Sequence, residues 1–231
     1  MSPSALPRLA YLTSLYPAVS HTFIQREIAG LRALGFAVET CSVRQPDASH
    51  LTGPAEHAAR ADSFYILAAA RHPVTLPRAL LAALSRPKYL LRMLALAWRT
   101  APPGLRGGLK QMAYAAEALI LSQHLQARGI DHLHNHFAGS SANVAMLTSV
   151  LSGIPFSYTL HGPSDLYEPE KWQLRERPRA PPSWPVSAIS PARRRCIFQI
   201  LRTGPSSGSC IAAYCRTSMS AQRPRPDPER G

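Results

Sequence analysis

Three imidazoles alternate along the segment HLHNHF, at His132, His134 and His136. If the segment is a strand, alternation puts all three on one face. Imidazole ligates metals and exchanges protons near neutral pH, so metal binding and proton handling are both open chemistries. No Cys or carboxylate cluster stands at a recognisable ligand spacing from these residues, and no metal ligand is assigned. The plainer reading has one imidazole packed or hydrogen-bonded in the core and the next reaching a cleft. Directly after them, Gly139, Ser140 and Ser141 open an apolar run. At a helix start, free backbone N–H groups there can cradle a phosphate or carboxylate. The same residues also make an ordinary N-cap, which spacing alone favours. A third group is His161-Gly162-Pro163-Ser164-Asp165. A His ahead of Gly-Pro at a strand end is exposed by the turn, and Asp165 is close enough to orient it, so His161 is the strongest catalytic candidate. The polar stretch Tyr16–Thr22, which contains Ser20 and His21, completes the set.

These groups need elements to hold them. RLAYLTS (8–14) is a short apolar run that stops at a turn-like Leu15-Tyr16-Pro17 and reads as a strand. In the segment that follows, Ile24, Ile28 and Leu31 recur at helical spacing. Thr22 with Gln25 fits a capping box, Glu27 suits the positive end of the helix dipole, and Gly35 suits the stop. FAVETCSV (36–43) reads as a second strand, parallel to the first because a helix crosses over between them. Residues 45–60 read as loop and SFYIL (63–67) as a third strand. The pattern predicts helices over 75–86, 88–99, 108–129 and 139–153, the last with a Ser cap and a Gly stop. Further strands are expected over 130–137 and 154–162. Alternation of this kind predicts an α/β fold, a Rossmann-like parallel sheet covered by helices on both faces. Ligands of such sheets bind beyond the carboxyl ends of the strands, and all the polar clusters fall at such ends. Their convergence on one edge says more than any one of them.

The 231-residue chain has length for one sizeable domain, or a domain and a fragment, and no run of eighteen uncharged apolar residues. Its start lacks a charged leader before a long apolar core and carries Pro17, so no signal peptide is expected and a cytoplasmic location is the default. A net charge of +13 ordinarily suggests nucleic acid or anionic membrane. Residues 177–231, however, hold ten Arg against Asp227 and Glu229, which leaves +5 for residues 1–176. Within 75–99, Arg78, Arg86, Lys88, Arg92 and Arg99 surround Leu, Met and Trp98, a surface that suits peripheral contact with an anionic membrane. The same pattern suits a helix whose apolar face packs on the domain.

The runs YLTSLYPAVSHTFIQREIAGLRALGFAVETCSVR, HLHNHFAGSSANVAML and GIPFSYTLHGPSDLYEPEKWQLRE together resemble the N-terminal half of glycosyltransferase family 4. The resemblance covers about residues 8–176 and is nearest to bacterial exopolysaccharide enzymes of the colanic-acid type. It implies a GT-B fold, two Rossmann-like domains facing across a cleft, with the acceptor received mainly by the first and the nucleotide-sugar by the second. It also implies a retaining, metal-independent transfer to a saccharide or lipid-linked acceptor, with no cofactor beyond the nucleotide-sugar donor. By the resemblance, His161 matches the His that faces the donor sugar. The Tyr16–Thr22 loop matches the segment that approaches donor and acceptor, and His136 and Phe137 match a His-Phe segment beside the cleft. Gly139, Ser140, Ser141, Gly162 and Asp165 would then shape the substrate site.

Beyond Glu176 the family pattern gives way to Arg, Pro and Cys. Back-translation with the frame advanced by two nucleotides permits Phe-Val-Ala at 182–185, His-Phe-Ala-Arg-Ala at 188–193 and Val-His-Cys-Gly-Val at 209–214. All three are family segments, in family order, at one offset. Residues 1–176 therefore read as an acceptor-side domain, and 177–231 as an out-of-frame, disordered basic tail. A fragment without the donor-binding domain is expected to be inactive alone. The competing class is a non-enzymatic basic protein that binds anionic membrane or nucleic acid. No specific nucleic-acid partner is expected on the transferase reading, which places the chain in the cytoplasm or at the inner membrane face.

Overall fold

Every residue of Leu9–Ala10–Tyr11–Leu12 is buried, so this run shows no in–out alternation. That is the signature of a strand covered on both faces. It forms β1 (Leu9–Leu15), the centre of a five-stranded sheet. The computed structural model describes residues 6–159 except Ala138. In that span β1 is followed by α1 (Thr22–Ala33), β2 (Val38–Arg44), α2 (Pro54–Ala61), β3 (Ser63–Tyr65) and α3 (Ile66–Ala70). Then come α4 (Thr75–Leu84), α5 (Pro87–Arg99), α6 (Leu105–Ala127), β4 (His132–His136), α7 (Ser140–Ser152) and β5 (Phe156–Thr159). The strands are all parallel, in the order β3-β2-β1-β4-β5. The α/β class with a Rossmann-like parallel sheet is therefore as the sequence indicates.

The sheet has two unlike faces. Ala10, Leu12, Cys41, Val43 and Leu133 join a core with residues of α3 to α7. The alternate side chains of β1 and β4, Tyr11, His134 and His136, pack together on the opposite side, where Tyr11 meets Glu27 of α1. Helix α7 is buried along nearly its whole length, which explains its composition of small and apolar residues.

Several local expectations need correction. No capping box forms at α1: a 3-10 turn over Val19–His21 runs straight into the helix, His21 takes the cap position, and no side chain caps it. Thr22 is instead the first helical residue. Glu27 does not serve the helix dipole; it lies buried against Tyr11. Residues 45–60 are not all loop, since Pro54 at a favoured first-turn position starts α2. The third strand ends at Tyr65, and Ile66 and Leu67 begin α3. Helix α7 is capped by the backbone of Gly139, with no Ser side chain bonded there. The expected glycine stops do hold. Gly35 and Gly153 both adopt the left-handed conformation, at φ 88° and 81°.

Candidate functional site

The strand order reverses between β1 and β4, and in an open α/β sheet the crevice forms at that reversal, beyond the carboxyl ends. Two of the polar clusters meet there. Ser14 of β1 and Ser140 of α7 bring their hydroxyls to 3.2 Å, although they lie 126 residues apart in the chain. A Cβ added to Gly139 would come within 3.7 Å of Ser14 Oγ, so the backbone of the α7 cap runs close to the end of β1. His21 lies with its ring 5.1 Å from that of Phe137, and Phe23 sits 6.2 Å from the same ring. The Tyr16–Thr22 loop and the segment after β4 are therefore neighbours.

His21 has a defined tautomer. Its Nδ1–H donates to the Leu15 carbonyl at 3.1 Å, so Nε2 carries the lone pair. Burial holds its pKa below the usual imidazole value, against the opposing effect of that hydrogen bond. At neutral pH the ring is thus a hydrogen-bond acceptor at Nε2. Ser20 and Thr22, its neighbours, are exposed. Tyr16 is different. It is buried, its carbonyl accepts from the Tyr65 hydroxyl at 3.1 Å, and burial pushes its phenol up to about 12. It anchors the loop from below.

Phe137 adopts φ 71°, a left-handed conformation that is uncommon for a bulky residue and is found where surrounding structure enforces it. Here the enforcement is visible. Its N–H donates to the Thr159 carbonyl at 2.9 Å, and its carbonyl accepts from Asn135 Nδ2 at 2.7 Å. The chain is bent at the end of β4, between the buried His136 and the start of α7.

Beneath this surface lies a closed polar cluster. The Tyr11 hydroxyl donates to Glu27 Oε1 at 2.6 Å, and Glu27 Oε2 stands 3.8 Å from His136 Nε2. His134 bonds Ser157 Oγ through Nδ1 at 2.8 Å and Thr159 Oγ1 through Nε2 at 3.2 Å. His132 shares Ser157, at 2.8 Å through Nε2. Burial raises the Glu27 pKa, partly offset by the bond from Tyr11. Glu27, His134 and His136 each offer one ligand atom, all within 4.8 Å of one another. A metal ion there would have to displace Ser157 or Thr159 from His134, whose two ring nitrogens are both engaged, and the Tyr11 bond would orient Glu27. Sequence spacing missed this group because Glu27 comes from α1, more than a hundred residues before His134.

Glu117 was not legible from spacing, whereas Ser141 is a candidate of the sequence. Glu117 of α6 is held near pH 7 by burial, against the pull of Arg44, and its Oε2 has no hydrogen-bond partner among the described residues. Ser141 Oγ at the start of α7 likewise has none among the described residues. His161, Gly162 and Asp165 lie outside the described residues, as does the tail. Comparison with models of protein families, with curated proteins and with solved structures returned no match.

Proposed function

We propose that residues 1–176 form the acceptor-side domain of a family 4-like glycosyltransferase, which transfers a sugar from a nucleotide-sugar to a growing polysaccharide or lipid-linked acceptor. The observation that carries this reading is the meeting of the Tyr16–Thr22 loop and the His136–Ser141 segment at the β1/β4 reversal. Those are two of the three segments on which the family resemblance rests, and a sheet of this order binds its ligands there.

The residues suggest a division of labour. Neutral His21, with its lone pair fixed on Nε2, accepts a hydrogen bond from an attacking saccharide hydroxyl and orients it. Aromatic Phe137 and Phe23 give a sugar ring an apolar wall. The first turn of α7, with no side-chain cap, offers N–H groups to negative charge on the donor. His161 would contact the transferred sugar, with Asp165, four residues on in the sequence, to orient it. The leaving diphosphate needs its charge stabilised as the bond breaks, and on this reading those donors belong to a second domain that the frame beyond Glu176 no longer encodes.

Resequencing the gene across the codons for Lys171–Ala180 and into the downstream DNA tests the frame. Recovery of the His-Phe-Ala-Arg and Val-His-Cys-Gly-Val segments in frame, with sugar transfer by the restored chain and its loss in His161→Ala, is the expected result. The chain as it stands should bind nucleotide-sugars weakly or not at all. Tight binding in calorimetry would overturn the two-domain reading.

A further inference from the structure

A helix on the surface of a globular protein ordinarily carries one apolar stripe, turned inward. Helix α5 carries two. Leu90, Met93 and Ala97 are buried, while Leu91, Leu94 and Trp98 form a second stripe at helical spacing that faces outward, with Trp98 83% exposed. Lys88, Arg92 and Arg99, all exposed, recur at helical spacing beside it. Helix α6 repeats the arrangement in its first turns. Gly107, Gln111 and Tyr114 face inward, Leu105, Leu109 and Met112 are 60–81% exposed, and Arg106 and Lys110 stand alongside. In α4, Ala79 and Ala83 are buried while Leu81 and Leu84 are exposed.

The corner between α5 and α6 is fixed. Thr100, which ends α5, accepts from Gln111 Nε2 at 2.8 Å. A Cβ on Gly107 would stand 2.1 Å from the Pro102 carbonyl oxygen, so the loop lies directly on α6. Trp98 and Leu105 therefore belong to neighbouring parts of one corner. Across residues 63–116 the chain has eight Lys and Arg and no Asp or Glu, and all eight bases are exposed.

From this arrangement we infer that the outward faces of α4, α5 and the start of α6 dock on an anionic lipid bilayer, with Leu91, Trp98, Leu105 and Leu109 entering the headgroup region. Two observations select a bilayer over a protein partner. An uninterrupted run of one charge sign beside the apolar strips suits a surface that is uniformly negative, whereas a protein interface is depleted of charged residues, Lys among them, around its apolar core. The apolar side chains are distributed in strips along helices beside basic rows, the pattern of helices that lie in a membrane interface, with Trp at the polar–apolar boundary. No helix among the described residues is long and apolar enough to cross a membrane, so the attachment is to one surface. This docking face extends past the 75–99 segment marked by sequence, into α6, and it does not depend on the transferase reading.

The test is flotation of the full chain with vesicles of phosphatidylcholine alone and of phosphatidylcholine with phosphatidylglycerol, at low and high salt. Binding only to the anionic vesicles, falling with salt, is expected. Each base near the surface contributes about fivefold in affinity, so Lys88→Glu, Arg92→Glu and Arg106→Glu together should weaken it by roughly a hundredfold or more. Leu91→Ser with Trp98→Ser and Leu105→Ser should leave a weaker binding that salt abolishes. These positions are exposed, so the variants should keep the wild-type circular dichroism. The inference fails if neither set changes vesicle binding, if replacing Arg193–Arg195 by Ser removes it instead, or if neutral vesicles bind as well. It also fails if the apolar variants only convert a dimer to a monomer, or if duplex DNA is bound and vesicles are not.

Discussion

Neighbouring residues of β4 face opposite environments. Leu133 points into an aliphatic core built by α3 to α7, whereas His134 and His136 point to a cluster of phenol, carboxylate and hydroxyls beneath α1. One side of the sheet is held by area removed from water, which tolerates a change of shape poorly but needs no particular partner atom. The other is held by bonds between specific atoms, where loss of one partner leaves its mate buried and unsatisfied. Phe23 and Phe137, at the β1/β4 reversal, lie against His136 of that second side. The strand β4 is thus anchored on one face by bulk and on the other by chemistry.

Substitution can break this contrast. The largest effect should come from the aliphatic side: Leu133→Ala or Leu121→Ala should cost about 2–5 kcal/mol in urea unfolding, since both are fully buried. On the polar side Tyr11→Phe preserves volume but removes the donor to Glu27, and about 1–3 kcal/mol is expected. A result below that range would mean that Glu27 is satisfied without Tyr11. Next comes Phe137. Ala there keeps the left-handed strain and loses the ring, whereas Gly loses the ring and relieves the strain, so Phe137→Gly should be more stable than Phe137→Ala by about 1 kcal/mol.

The pH dependence sharpens the comparison further. Glu117 has a folded pKa raised to about 7, above its unfolded value, so its contribution is fully present below the unfolded pKa and is lost as pH rises through 7. Glu117→Gln should therefore flatten the fall in Tm between roughly pH 4.5 and 7. His132 acts in the other direction. Burial lowers its pKa to about 4, so its contribution is present above the unfolded value and is lost as pH falls toward 4. Comparing Glu117→Gln with His132→Asn separates the two. The smallest effect is expected from zinc, because both ring nitrogens of His134 are already engaged by Ser157 and Thr159. A rise of several degrees in Tm on adding zinc would instead assign Glu27, His134 and His136 as ligands.

How far the sequence revealed these two sides differs in the same way. The aliphatic side was legible as periodicity: α5, α6, α7 and the strands were all marked by apolar spacing, with ends displaced by a few residues. Gly35 and Gly153 could be read as stops because the left-handed conformation they adopt is costly for other residues. The polar side was legible only in part. Alternation places the three histidines on one face, but Glu27 by its position alone suits the helix dipole, since nothing local in α1 shows that Tyr11 lies opposite it. The capping box at Thr22 failed because a 3-10 turn already supplied the entry to α1, so no side chain was needed there. Pairings across more than a hundred residues, such as Ser14 with Ser140, are set by topology and leave no trace in local spacing.

The lack of room at Gly107 has a mechanical consequence. With the Pro102 carbonyl lying against that glycine, any side chain at 107 would push the loop off α6, so Gly107 is what lets α5 and α6 meet at a close elbow. Helix α6 in turn packs along α7, whose first residue bonds the end of β1. The corner that carries Trp98 is thus joined through α6 and α7 to the end of β1. For a chain resting on a surface through that corner, the elbow sets the tilt of the crevice relative to the surface, much as a bracket sets the angle of a shelf.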